Sequence, residues 1–128
     1  MTNKEKKKIL IVEDNQTLVE MYKEKLKIEG FAVATVMDGK KAIAKIKQGA
    51  DLILLDILMP GLNGFEILKK IQLDKKLNQI PVIVLTNIGS KSFDSDKKLA
   101  LSLGATDYMI KALNTPNDVI AKINTILN

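Results

Sequence analysis

Apolar residues along this chain come in short blocks separated by longer stretches of mixed character. Aliphatic runs occupy residues 9–12 (ILIV), 31–36 (FAVATV), 52–55 (LILL), 82–85 (VIVL) and 108–110 (YMI). Most are continuous rather than alternating, which is the pattern of strands buried on both faces of a parallel sheet. Pro81 opens the fourth run, at a strand start where proline is tolerated. Between the runs the apolar spacing turns helical. Leu18, Tyr22 and Leu26 lie four apart. Ala42, Ile43 and Ile46 share a face, as do Leu68 and Ile71, and Leu99 and Leu103. Val119, Ile123, Ile126 and Leu127 line the last helix. Gly30, Gly49 and Gly104 each follow a helical stretch, where a left-handed turn ends a helix. Thr115-Pro116 reads as the N-cap and first residue of the final helix.

The order is strand then helix, five times over. Strict alternation predicts an α/β fold with a parallel sheet covered by helices on both faces. The expected architecture is a doubly wound five-stranded sheet, (βα)5, with strand order 2-1-3-4-5. Residues 1–7 form a lysine-rich tail and residues 8–128 a single domain, without a Gly/Ser linker or low-complexity stretch.

In such sheets ligands bind beyond the carboxyl ends of the strands. The first strand ends in Glu13-Asp14, the third in Asp56, the fourth in Thr86, and Lys111 directly follows the fifth. The second ends in Val36-Met37, and Asp38 there is expected to cap the next helix. Each residue alone has an ordinary alternative: Asp14 as an N-cap, Asp56 as a partner of its loop, Thr86 as a strand residue, Lys111 as a surface charge. Together they converge, because strands 1, 3, 4 and 5 are successive neighbours about 4.8 Å apart. Three carboxylates at that spacing repel and need positive charge among them. Lys111 supplies one; the remainder suits a hard divalent cation with oxygen ligands, Mg²⁺ above all.

Composition narrows the chemistry. Histidine, cysteine and tryptophan are absent, which removes histidine base catalysis, the Ser-His-Asp triad, disulfides and most zinc sites. The absence of cysteine and of a long apolar segment predicts a soluble, cytoplasmic protein outside the membrane. Net charge is +5, carried entirely by lysine, without the arginine that reads bases and phosphates. Clusters at Lys6-Lys7-Lys8 and Lys40-Lys41 lack interleaved aromatics, so direct nucleic-acid binding is not expected. Neither GxGxxG nor GxxxxGK[ST] occurs, so the nucleotide-cradling loops are missing. A carboxylate can instead attack phosphorus and form an aspartyl phosphate, with a metal and a lysine neutralising the phosphoryl oxygens.

Four segments, ILIVEDN (9–15), LLDILMPGLNG (54–64), VIVLTN (82–87) and LGATDYMIKA (103–112), make the chain resemble the receiver domain of two-component response regulators. The resemblance implies a flavodoxin-like fold and a role for each position. Asp56 would be the phosphoacceptor. Glu13, Asp14 and Asp56 would hold Mg²⁺ with the backbone carbonyl of Leu58. Thr86 would hydrogen-bond the phosphoryl group and Lys111 would pair with it. Tyr108 would be the aromatic that turns inward as Thr86 moves. The implied donor is a phosphohistidine on a sensor kinase or phosphotransfer protein. The implied output is a changed face of helix 4, strand 5 and helix 5, presented to a downstream protein. The chain would be a stand-alone phosphoacceptor rather than an enzyme with an external substrate.

Three departures from the family pattern stand out. Ala112 replaces the proline usual after the lysine, where the preceding peptide is cis, so either that bond is cis here or Lys111 sits differently. Asn87 replaces a small residue. The stretch NIGSKSFDSD (87–96) predicts a longer loop before helix 4. Leu58 and Ile88, at positions that influence dephosphorylation in the family, cannot orient a water, which predicts slow self-dephosphorylation. The alternatives are a pseudo-receiver that keeps the fold and a partner surface without the chemistry, a fragment of a larger regulator, and a phosphatase-like hydrolase. The last needs a second aspartate where Leu58 stands.

Overall fold

The computed structural model describes residues 6–59, 62–87 and 93–128. Five parallel strands, β1 (Lys8–Val12), β2 (Ala32–Val36), β3 (Leu52–Leu55), β4 (Val82–Thr86) and β5 (Asp107–Ile110), form one sheet in the order β2-β1-β3-β4-β5. This is the expected 2-1-3-4-5 order. Helices α1 (Gln16–Ile28), α2 (Ala42–Lys47), α3 (Gly64–Leu73), α4 (Phe93–Ser102) and α5 (Pro116–Leu127) connect or follow them. A 3-10 turn at Gly39–Lys41 precedes α2. A two-residue antiparallel ladder pairs Leu58–Met59 with Leu62–Asn63 outside the main sheet. The sequence reading did not foresee that ladder.

The continuous aliphatic runs are explained by the sheet's two covered faces. Leu10, Val12, Ile53, Leu55, Val82, Val84, Tyr108 and Ile110 point to one side, where they pack with Ile46 of α2, Ile67 and Leu68 of α3 and Ala100 of α4. Ile9, Ile11, Leu52, Leu54, Ile83, Leu85 and Met109 point to the other, against Val19, Tyr22 and Leu26 of α1 and Val119 and Ile123 of α5. Side chains alternate along each strand, so a strand buried on both sides has no polar position to spare.

Several local expectations hold. Gly30, Gly49 and Gly104 all adopt positive φ at helix ends. Thr115 caps α5 through a reciprocal box with Asp118 and has Pro116 behind it. The Asp38 carboxylate accepts from the Lys40 amide at 2.9 Å, which caps the 3-10 turn leading into α2 rather than α2 itself. Others are corrected. The α1 cap is Asn15, whose side chain accepts from the Leu18 amide at 3.0 Å, so Asp14 is not the N-cap. On α4 Ala100 is buried, whereas Leu99 is 44% exposed. α4 begins at Phe93, so the last four residues of the expected 87–96 loop are already helical. Ile88 lies outside the described residues. No cis peptide occurs among the described residues, so the Lys111–Ala112 bond is trans.

Candidate functional site

The carboxyl ends of β1, β3, β4 and β5 meet at one rim. The Asp56 amide donates to Val12 O at 3.0 Å, which continues the β1–β3 ladder and sets Asp56 beside Glu13. The Glu13 amide is fixed in the same way to Val36 O at 3.1 Å. On the other side, the Lys111 amide donates to Thr86 O at 2.8 Å, which ends the β4–β5 pairing with Lys111 turned towards the acids. Glu13, Asp56 and Thr86 are the polar residues buried among those described.

Side-chain contacts follow from this scaffold. Lys111 Nζ donates to Glu13 Oε1 at 2.5 Å and lies 3.5 Å from Asp56 Oδ2, the outer limit of a hydrogen bond. Glu13 Oε2 accepts the Asn15 amide at 3.0 Å, so both its oxygens are engaged. Asp56 Oδ1 accepts the Leu58 amide at 3.0 Å, while Oδ2 lies at the longer distance from Lys111. Lys111 thus reaches the acidic cluster across a trans Lys111–Ala112 peptide, and it sits closer to Glu13 than to Asp56.

Burial and neighbouring charge together set the ionisation of the cluster. Asp56, 7% exposed, is pushed up to about 6, first by burial and then by the adjacent Glu13 charge. Lys111 and the Leu58 amide only partly offset this. Burial also raises Glu13, but the Lys111 hydrogen bond, the Asn15 amide and the Lys111 charge together hold it below its usual value. The stronger claim of Glu13 on the lysine leaves Asp56 the poorly compensated member of the pair.

Glu13, Asp14 and Asp56 each offer a carboxylate oxygen, and these oxygens lie within 4.8 Å of one another. Asp14 is partly open to solvent, while the other two are buried. Hard oxygen donors in excess of local positive charge fit Mg²⁺ or a similar divalent cation. Leu58 stands two residues after Asp56; its amide is taken by Asp56 and its side chain is 59% exposed. Tyr108 is buried in β5 opposite Val84. Burial and the charge of Asp96 on α4 raise its phenol. Thr86 ends β4 fully buried.

Two contributors escaped the sequence reading. Asn15 both caps α1 and orients Glu13 through its amide; the EDN triplet carried the signal, but either Asp14 or Asn15 could have been the cap. Gly64, first residue of α3, packs against the backbone of Ile57. Its position in the LNG turn was visible; the contact partner was not.

Residues 9–124 match the family of the response regulator receiver domain. The transcriptional regulatory protein CpxR of Klebsiella pneumoniae subsp. pneumoniae is 42% identical over 120 residues, covering 94% of this chain and 49% of CpxR. The chain thus spans about half the length of the curated relatives it matches. Among solved structures, a CheY-like response regulator receiver domain protein from Methanospirillum hungatei superposes with a TM-score of 0.85 at 30% identity, over 96% of this chain and 94% of that one. The BeF3-activated N-terminal receiver domain of Klebsiella pneumoniae RstA gives a TM-score of 0.81 at 28% identity, over 92% and 96% of the two chains. With the sheet order, the acidic rim and this match in agreement, the chain belongs to the response regulator receiver family.

Proposed function

We propose that this receiver domain accepts a phosphoryl group on Asp56 from a phosphohistidine of a sensor kinase or phosphotransfer protein. The observation that carries this reading is the asymmetry of the Asp56 carboxylate. Oδ1 is pinned by the Leu58 amide at 3.0 Å, while Oδ2 faces Lys111 Nζ at 3.5 Å. Oδ2 attacks phosphorus, a new O–P bond forms, and the P–N bond to the imidazole breaks with its electron pair leaving on nitrogen. Lys111 Nζ, already in the cluster, shifts from Glu13 towards the incoming phosphoryl oxygens, and the Thr86 hydroxyl donates to one of them. Mg²⁺, held by Glu13, Asp14, Asp56 and the Leu58 carbonyl, would neutralise charge on the transferring group. The domain is its own phosphoacceptor and turns over no external substrate.

Output follows by population shift: the phosphoryl group favours a conformation that a downstream protein also favours. The surface assigned to this is the face of α4, β5 and α5, where Leu99 and Leu101 are exposed and Lys122 pairs with Asp107 at 3.1 Å. Tyr108 is its inward-facing reporter. The relatives named as transcriptional regulators extend to about twice this length, which supports the alternative that the domain is the receiver of a longer regulator. A cytoplasmic location fits a kinase-fed receiver. No helix among the described residues is long and apolar enough to cross a membrane.

The exposed Leu58 side chain offers no hydrogen bond to a water attacking phosphorus. Slow self-dephosphorylation follows, with a phosphoryl lifetime of minutes or longer. The test is incubation with acetyl phosphate, or with beryllofluoride, in Mg²⁺, read by intact mass and NMR. Wild-type protein is expected to gain one phosphoryl group and Asp56→Asn none. Failure of the wild type with both reagents identifies a pseudo-receiver instead, and decay within seconds contradicts the slow-release reading.

A further inference from the structure

Gly64 opens α3, eight residues beyond Asp56, and its φ is not in the left-handed region. Its need for glycine is therefore a matter of space. A Cβ placed on it would stand 2.5 Å from the Ile57 Cα, 3.1 Å from Asp56 O and 3.2 Å from the Ile57 carbonyl carbon. All three atoms are backbone of the segment that carries the acidic residue. The Gly64 amide also donates to Ile57 O at 2.9 Å, so the two backbones are held together as well as close. Ile57 cannot retreat, because its side chain is 2% exposed and embedded in the core beside Ile67 and Leu68.

We infer that Gly64 is a positioning residue: the bare α3 start clamps the Asp56–Ile57–Leu58 backbone and so sets where the Asp56 carboxylate and the Leu58 amide stand. The clamp explains why Asp56 Oδ1 and the Leu58 amide meet at 3.0 Å, leaving Oδ2 to the rim. A methyl on Gly64 has no flexible atom to push aside. It displaces Ile57, and the displacement passes to its two neighbours in the chain. A misplacement on the ångström scale can cost a reacting group about 100-fold in rate.

This inference rests on Asp56 being the phosphoacceptor, and the test separates the two claims. Phosphorylation by acetyl phosphate is followed in wild type, Gly64→Ala and Gly30→Ala, with dependence on donor and on Mg²⁺ resolved into a saturation constant and a maximal rate. Gly30 has φ +96° and open space around a Cβ, so its alanine variant strains the fold far from the rim. Gly64→Ala is expected to lower the maximal rate about 10- to 100-fold. It should also shift the Asp56–Leu58 amide resonances in the absence of donor, while Gly30→Ala keeps both near wild type. A folded Gly64→Ala that reacts within about two-fold of wild type overturns the inference and leaves the phosphoacceptor reading intact. Wild-type protein that forms no adduct overturns both. Should Gly64→Ala not fold, Ile57→Val thins the opposite wall of the clamp. A rate fall beyond about three-fold supports the inference, and an unchanged rate with unchanged Leu58 amide shift overturns it.

Discussion

Asp56 is held in a place that disfavours its own charge. Burial and Glu13 push it up to about 6, and Lys111 is spent largely on Glu13. The penalty for ionising Asp56 is absent below its unfolded value, grows as pH rises from about 4 to 6, and is complete above that. Asp56→Asn is therefore expected to stabilise the metal-free domain by about 1–3 kcal/mol at pH 7–8, with the gain fading as pH falls through 6 towards 4. Urea denaturation of the two proteins across that range measures it, and a pH-independent difference contradicts the assignment. Because the Glu13 charge is the second cause of the shift, Glu13→Gln should bring the Asp56 carboxyl down from about 6 without restoring it fully, as followed by carboxyl-carbon NMR titration. Lys111→Met leaves two buried carboxylates uncompensated. It should drive the Asp56 titration still higher and slow phosphorylation by about 100-fold or more.

At the scale of the element, the site depends on where strands stop and helices start. Asn15 joins both tasks, since its side chain caps α1 while its amide holds Glu13 Oε2. Asn15→Ala should cost about 1 kcal/mol in thermal or urea unfolding through the cap alone. It leaves the amide, and therefore Glu13, in place, so phosphorylation should hardly change. A large loss of activity would show that the side chain does more than cap. The α5 capping box makes the contrast. Thr115→Ala should cost a similar amount at a position away from Glu13, Asp14 and Asp56. Ile53, in the central strand β3 and wholly buried, marks the other extreme. Ile53→Ala should cost about 2–5 kcal/mol through the cavity it leaves.

For the whole molecule, the acidic rim sits at one end of a sheet whose two faces are closed by two separate apolar cores. Binding a cation at the rim stabilises the folded state, because the unfolded chain does not gather these three carboxylates. At Mg²⁺ concentrations about 100 times the dissociation constant the gain is about 2.7 kcal/mol. A rise in melting temperature on Mg²⁺ addition is expected for wild type and should be lost in Asp14→Ala. A rise of equal size in that variant would place the cation elsewhere.

How much of this was legible beforehand depends on the range of the interaction. Strands β1, β3 and β4 were readable because burial on both faces leaves no polar position within their runs, a local pattern, whereas the half-buried edge strand β2 admits Thr35. Gly30, Gly49, Gly104 and Thr115-Pro116 were readable because positive φ and capping are single-residue chemistry. Glu13, Asp56, Thr86 and Lys111 could be brought to one rim because each ends or follows a strand of a parallel sheet, whose carboxyl ends all lie on one side. Neighbouring choices were not so fixed: Asp14 and Asn15 have near-equal capping preference, and the geometry of the loop after β1 decided for Asn15. The share of Lys111 between Glu13 and Asp56, the exposure of Leu99 with Ala100 turned inward, and the contact of Gly64 with Ile57 are all set by distances between segments. The sequence by itself determined the element order, the two-sided core and the residues at the strand ends. The tertiary structure alone decided which oxygen each donor reaches and which backbone a missing side chain admits, because those depend on ångström-scale separations that no local pattern encodes.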